Sequence, residues 1–248
     1  MLRHSAERHG YMLQKIGGKT VAKRTIEGSV NTKDKVLYSA AVLFLEKGFQ
    51  KTTIIDIAQH AGVNRGSVVF AITNKENLLR MLAEYVLDGQ FEASRKIVQG
   101  KTEDPILYYA VETALQLYMA ESSEQVREIY AAAYSMPSTS ELIYSKTTEH
   151  LEPLFRKYNP QWEARDFYEC EIASGSIIRG YMAKPCDCYF TITRKVRAFL
   201  KNSLAMYHVP EKKVEEAVQF VLALDFEKIA KETIENLLLY LEKQILEN

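Results

Sequence analysis

The stretch TTIIDIAQHAGVNRGSVVFAITNK, Thr52–Lys75, decides the fold. Thr53 stands where an N-cap belongs, and Asp56 three residues on has the reach to return a hydrogen bond to its backbone, so Ile54–His60 is expected to open as a helix. Gly62 supplies the backbone freedom a tight turn requires. Asn64 offers a second N-cap, with Val63 and Val68 as apolar packing on either side of it, and Arg65 to about Ile72 forms the next helix. Two short capped helices joined by a glycine turn are the sequence form of a helix-turn-helix, whose second helix is the one that enters a major groove.

The flanking residues extend the helical reading in both directions. Thr32 is expected to cap a first helix whose apolar positions Val36, Leu37, Ala40, Ala41, Phe44 and Leu45 share one face. Gly48 ends it, and Phe49 can fold back on that face. Asn74 caps a further helix carrying Leu78, Leu79, Leu82, Val86 and Leu87 to about Gln99. Beyond the Gly100–Asp104 break, helices are expected from Pro105 to about Ala120, over 123–135 and over 139–157. Others follow from Asn159 and Pro160 to about Ala183, over 190–206, over 211–223 and over 225–246.

Proline and glycine are scarce, at 6 and 11 of 248 residues, and 47% of residues are hydrophobic. With three-to-four-residue apolar spacing throughout, this is the pattern of an all-α protein with a large core. No apolar run nears the roughly 20 residues of a membrane span, and residues 1–30 lack a secretory h-region, so a cytoplasmic protein without membrane contact is expected. Cys170, Cys186 and Cys188 make an odd set with no Cys-x-x-Cys pair, which suggests neither a disulfide framework nor a zinc site. The alternatives are incidental thiols or redox sensing through Cys186 and Cys188.

The formal net charge is zero, but the charge is unevenly placed. Residues 1–30 hold six basic and two acidic residues, and residues 31–80 hold seven and four, so the first 80 residues are at +7 and the remainder at −7. One basic region on an otherwise acidic chain is the distribution expected when a single domain faces phosphates. Residues 1–31 are expected to be a flexible basic arm, containing Gly17 and Gly18 and no sustained periodicity.

From Lys33 to about Leu82 the chain resembles the TetR family of transcriptional regulators. The matching runs are AAVLFLEKGFQKTT (Ala40–Thr53), DIAQHAGVNRGS (Asp56–Ser67) and NKENLL (Asn74–Leu79), and they cover about a fifth of the chain. The resemblance implies a three-helix DNA-binding domain over 32–82, followed over 83–248 by a helical domain for ligand binding and dimerisation. It implies a homodimer on double-stranded DNA with a pseudo-palindromic operator, and a repressor released by a small molecule. Its DNA contacts map onto Thr52, Thr53, Asn64, Arg65, Gly66, Ser67, Val69, Phe70 and Lys75, with Lys75 as the phosphate-contacting lysine. The family's usual tyrosine and histidine after the serine are replaced here by Val69 and Ala71. These two can still touch thymine methyls, and basic residues of the arm can supply the missing phosphate contacts. The competing expectation is a TetR-like protein with weakened operator binding, acting through protein partners or by binding a small molecule.

Between 108 and 190 the chain is rich in tyrosine and phenylalanine. Tyr108, Tyr118, Tyr130, Tyr134, Phe155, Phe167 and Tyr181 are the candidates for lining a cavity that takes an amphipathic or aromatic effector. Core packing is the other reading for each. The helix around Ile172, Ser176, Ile177 and Gly180 and the leucine-rich helix from 225 are the candidates for the dimer interface, with packing inside the subunit as the alternative for the second. His4, His9, His60, His150 and His208 are scattered, with no partner at metal-ligand spacing. There is no nucleophile elbow and no phosphate-cradling glycine loop. Neither an enzyme, nor a metal, nor a cofactor is expected.

Overall fold

The computed structural model describes residues 11–16, 19–24 and 31–247. A β-hairpin, β1 (Tyr11–Ile16) and β2 (Lys19–Arg24), pairs antiparallel with Tyr11 opposite Arg24 and Ile16 opposite Lys19. The pairing falls within the stretch expected to be a flexible basic arm. A Gly-Gly pair between two six-residue runs is a hairpin signal that an eye for helical periodicity passes over. The rest of that arm, residues 1–10, 17–18 and 25–30, lies outside the described residues.

From Asn31 onward the chain is helical. α1 (Thr32–Lys47) is capped by Asn31, one residue before the expected Thr32, and its apolar face buries Val36, Leu37, Ala40 and Phe44. Gly48 ends it at φ +88°, and Phe49 turns back to meet the Phe44 ring edge-on at 5.1 Å. α2 (Ile54–Ala61) and α3 (Arg65–Ile72) pack on α1 through Ile57, Ala58, Val68 and Ile72, which completes a three-helix head.

α4 (Lys75–Val98) begins against this head and runs on into the body, so the expected boundary between residues 82 and 83 falls inside one continuous helix. Head and body therefore share a rigid rod rather than a linker. α5 (Pro105–Glu121) is apolar almost all round, from Ile106 through Tyr109, Val111, Leu115 and Met119, and a helix of that kind belongs at the centre. Around it pack α6 (Glu124–Ala133), α7 (Pro137–Phe155), α8 (Ala164–Ala183), α9 (Ile192–Met206), α10 (Glu211–Leu222) and α11 (Phe226–Glu247).

One expectation changes here. The helix expected from Asn159 and Pro160 begins at Ala164, capped by Glu163 with Asp166. Asn159 is instead buried, donating to the Tyr207 carbonyl at 2.9 Å and facing the His208 ring at 2.6 Å, so its amide joins two loops rather than starting a helix. The leucine-rich α11, a candidate for the dimer interface, lies against α1, α4 and α5 of its own chain. Leu237 is seated on Gly89, where any Cβ would collide with it, and Phe226 stacks on Tyr118 at 5.3 Å.

Candidate nucleic-acid interface

The helix-turn-helix is held by side chain to backbone bonds that the sequence spells out. Thr53 Oγ1 accepts from the Asp56 N–H at 3.1 Å, and Asp56 Oδ2 accepts from the Thr53 N–H at 2.8 Å, which closes a reciprocal capping box. Those bonds, together with Lys47 at 3.1 Å, hold the Asp56 carboxyl below the usual carboxylate range. Gly62 adopts the left-handed conformation, φ +67°, that the turn demands. Asn64 Oδ1 accepts from the Ser67 N–H at 2.8 Å and starts α3.

α3 then divides its side chains cleanly. Val68 and Ile72 are fully buried on the head, whereas Arg65, Gly66, Val69 and Phe70 face outward, Phe70 at 94% exposure. The outward face meets the N-terminus of α1 in one shallow concave surface formed by Asn31, Thr32, Lys33, Asn64, Gly66, Ser67, Phe70 and Ala71. The first turn of α1 and Lys33 bring positive charge to one edge of this surface.

Two of the expected contacts sit differently. Thr52 is buried, and its hydroxyl donates to the carbonyls of Leu43 at 3.2 Å and Gly48 at 2.8 Å. The Lys75 ammonium is turned inward, donating to the carbonyls of Phe49 at 2.9 Å and Thr52 at 3.1 Å and lying 4.4 Å over the Phe49 ring. Partial burial lowers its pKa. Both residues clamp the corner between α1 and α2, because the carbonyls left over at the end of α1 need donors and these side chains are the nearest. Glu128 of α6 closes the same corner from the body by accepting from the Gln50 N–H.

Of the seven aromatic candidates in the body, Tyr130 and Tyr134 line a cavity of about 120 Å³. Its walls come from α1 (Ala41, Phe44, Leu45), α4 (Leu82, Val86, Gln90), α6 (Ile129) and α11 (Ile234, Leu237, Leu238). The other five are packed elsewhere. Tyr108 bonds to His150 at 2.8 Å, Tyr118 stacks on Phe226, Phe155 stacks on Tyr207 at 3.9 Å, Phe167 meets Trp162, and Tyr181 lies between Phe190 and Phe199. Sequence reasoning missed Gln90, although an amide on α4's apolar stripe, four residues after Val86 and eight after Leu82, was a visible interruption.

A second, narrower cleft shares Gln116, Tyr134 and Ile143 with the cavity and contains Glu112 and Glu171. Both carboxyls are buried, and burial raises each to about 7. Gln116 donates to Glu112 and Tyr207 to Glu171. Cys186 is half-buried with its thiol pushed upward, mainly by burial and then by Glu121, the opposite of what a reactive thiolate needs. Among the described residues no group of three His, Cys, Asp or Glu side chains is placed to hold a metal ion, and no helix is long and apolar enough to cross a membrane.

A three-helix head presenting one capped helix outward, on a larger helical body with its own cavity, defines a two-part helical protein with a helix-turn-helix head. Residues 36–82 match the family described as bacterial regulatory proteins, tetR family. It is 27% identical over 106 residues to the HTH-type transcriptional repressor BepR of Brucella suis, covering 42% of this chain and 51% of that protein. To the repressor KstR2 of Mycobacterium tuberculosis it is 35% identical over 82 residues, 33% of this chain and 40% of that one. The chain thus spans about half or less of the length of these curated relatives. Among solved structures, RolR in complex with resorcinol superimposes with a TM-score of 0.58 at 14% identity, covering 77% of this chain and 92% of that one. SmeT, the repressor of a Stenotrophomonas maltophilia multidrug efflux pump, gives 0.51 at 17%, covering 71% and 89%. Those likenesses establish the fold.

Proposed function

We propose that the protein is a ligand-responsive transcriptional repressor that grips a pseudo-palindromic operator as a homodimer and is released by a small amphipathic or aromatic molecule. The observation that carries this reading is the shared wall. α1 presents its N-terminus beside the outward face of α3 and, two turns later, lines the cavity with Ala41, Phe44 and Leu45. An occupant of the cavity bears directly on the helix that seats the reader. Two readers fit successive major grooves only about 34 Å apart, so a ligand that favours another spacing weakens DNA binding by its differential affinity alone. The domain division at about residue 82, the contacts of Arg65, Ser67, Val69 and Phe70 with DNA, and the basic residues before α1 as added phosphate contacts belong to this reading. The exposed α8 face of Ile172, Ala173, Ser176 and Gly180 serves as the dimer contact, its small residues allowing close approach. RolR, a structure of the same fold, is in complex with the small aromatic molecule resorcinol, which agrees with the effector class.

A second reading rests on α3 itself. Val69 at 43% and Phe70 at 94% exposure, with Ile55 at 53%, make the outward surface apolar, and Thr52 and Lys75 are turned inward. Such a surface also suits a protein partner. Electrophoretic retention of the protein on the DNA upstream of its own gene separates the two. Specific retention that weakens steeply with salt is expected of a repressor, and no retention at low salt refutes it.

A further inference from the structure

The cavity between head and body is mostly apolar, with Gln90, Gln116 and three tyrosines among its lining. Gln90 is fully buried, and one end of its amide meets the Tyr130 hydroxyl and, at 3.5 Å, the sulfur of Met119. The other end, Oε1, has no hydrogen-bond partner. Turning the amide over exchanges oxygen for nitrogen but still leaves that end unmatched. A buried amide group left in this way is costly, and native proteins rarely leave one unmatched. The neighbouring amide, Gln116, is by contrast satisfied, accepting from Tyr134 at 3.0 Å and donating to Glu112.

Size and lining narrow what fits. A volume of about 120 Å³ is close to the roughly 150 Å³ of an engineered cavity that takes benzene, so the occupant has one ring. Phe44, Tyr85, Tyr130 and Tyr134 supply aromatic walls, and Leu82 and Leu237 supply aliphatic ones. No charged side chain lines it, which disfavours carboxylates and ammonium ions. A hydroxyl both donates and accepts, so it satisfies the free end of Gln90 in either orientation of the amide. One unmatched end calls for one hydroxyl, since the amide of Gln116 is already paired with Tyr134 and Glu112.

We propose that this cavity is a receptor for a small monohydroxylated aromatic molecule, a phenol, seated with its ring among Phe44, Tyr85, Leu82 and Leu237 and its hydroxyl on Gln90. The proposal deepens the repressor reading in that the ring touches α1, but the binding itself is independent of DNA.

Calorimetric titration of the full chain with phenol, toluene, resorcinol and benzoate tests it. Phenol is expected to bind at least ten-fold more tightly than toluene, which has the same number of heavy atoms, and more tightly than resorcinol or benzoate. Gln90→Met is expected to remove the preference of phenol over toluene. Ala83→Phe, which fills the cavity from α4, is expected to weaken phenol at least ten-fold and serves if the Gln90 variant does not fold. Equal binding of phenol and toluene, absence of phenol binding at millimolar concentration, a preference that survives Gln90→Met, or undiminished phenol binding by Ala83→Phe each overturns the proposal. DNA retention is measured in parallel. Phenol binding without any retention overturns the repressor reading and leaves the receptor standing, and retention without phenol binding does the reverse.

Discussion

Glu112 and Glu171 make the stability of this protein depend on pH in an unusual direction. Each carboxyl is buried, with a folded pKa of about 7 against 4.5 for a free glutamate. Between those values the folded state holds the proton more tightly than the unfolded state, so stability present below pH 4.5 is lost as pH rises through about 7. A displacement of that size is worth about 3 kcal/mol per carboxyl, a large share of a typical total of about 5–15 kcal/mol. His150 works the other way. Buried against Phe91, its ring is held down at about 4 from 6.5, so it withdraws stability as pH falls below 6.5. Urea unfolding from pH 5 to 8.5 on the wild type and on Glu112→Gln/Glu171→Gln isolates the carboxyls, because His150 is common to both. The double variant is expected to keep several kcal/mol more of its stability between pH 5 and 8 than the wild type does. Parallel pH profiles for the two proteins would refute the reasoning, since the glutamates would then have to titrate as they do in water.

Three further outcomes follow from the head and its supports. Thr53→Ala removes the capping box and is expected to cost about 1 kcal/mol in thermal unfolding. Gly48→Ala combines a left-handed backbone with a Cβ that would meet the Glu128 carboxylate, so a loss above about 1 kcal/mol is expected, larger than for Gly62→Ala, where no atom lies within 4 Å. Ile245→Ala removes a fully buried side chain near the end of α11 and is expected to cost about 2–5 kcal/mol by the same assay.

The head was legible because its determinants are local. Thr53 with Asp56, Gly62, Asn64 and Asn74 each act within four residues, and all four appear where their chemistry requires. What escaped depends on distant partners. Whether Lys75 points to solvent or to the carbonyls of Phe49 and Thr52 is settled by the end of α1, 28 residues earlier in the chain. Asn159 was read as a helix start because nothing nearby announces that Tyr207 and His208 will claim its amide. The cavity is the extreme case, since α1, α4, α6 and α11 each supply an ordinary apolar stripe and only their meeting leaves a space. Tyrosine content pointed to Tyr130 and Tyr134 but could not separate them from Tyr118 or Phe155, which meet ring partners instead.

The packing of α11 against α1 also sets a clock. Synthesis at about 5–20 residues per second puts on the order of 10–40 s between the emergence of Lys47 and that of Phe226. For that interval Phe44 and Leu45 have no α11 to cover them, so the three-helix head is complete while it still borders an open apolar surface.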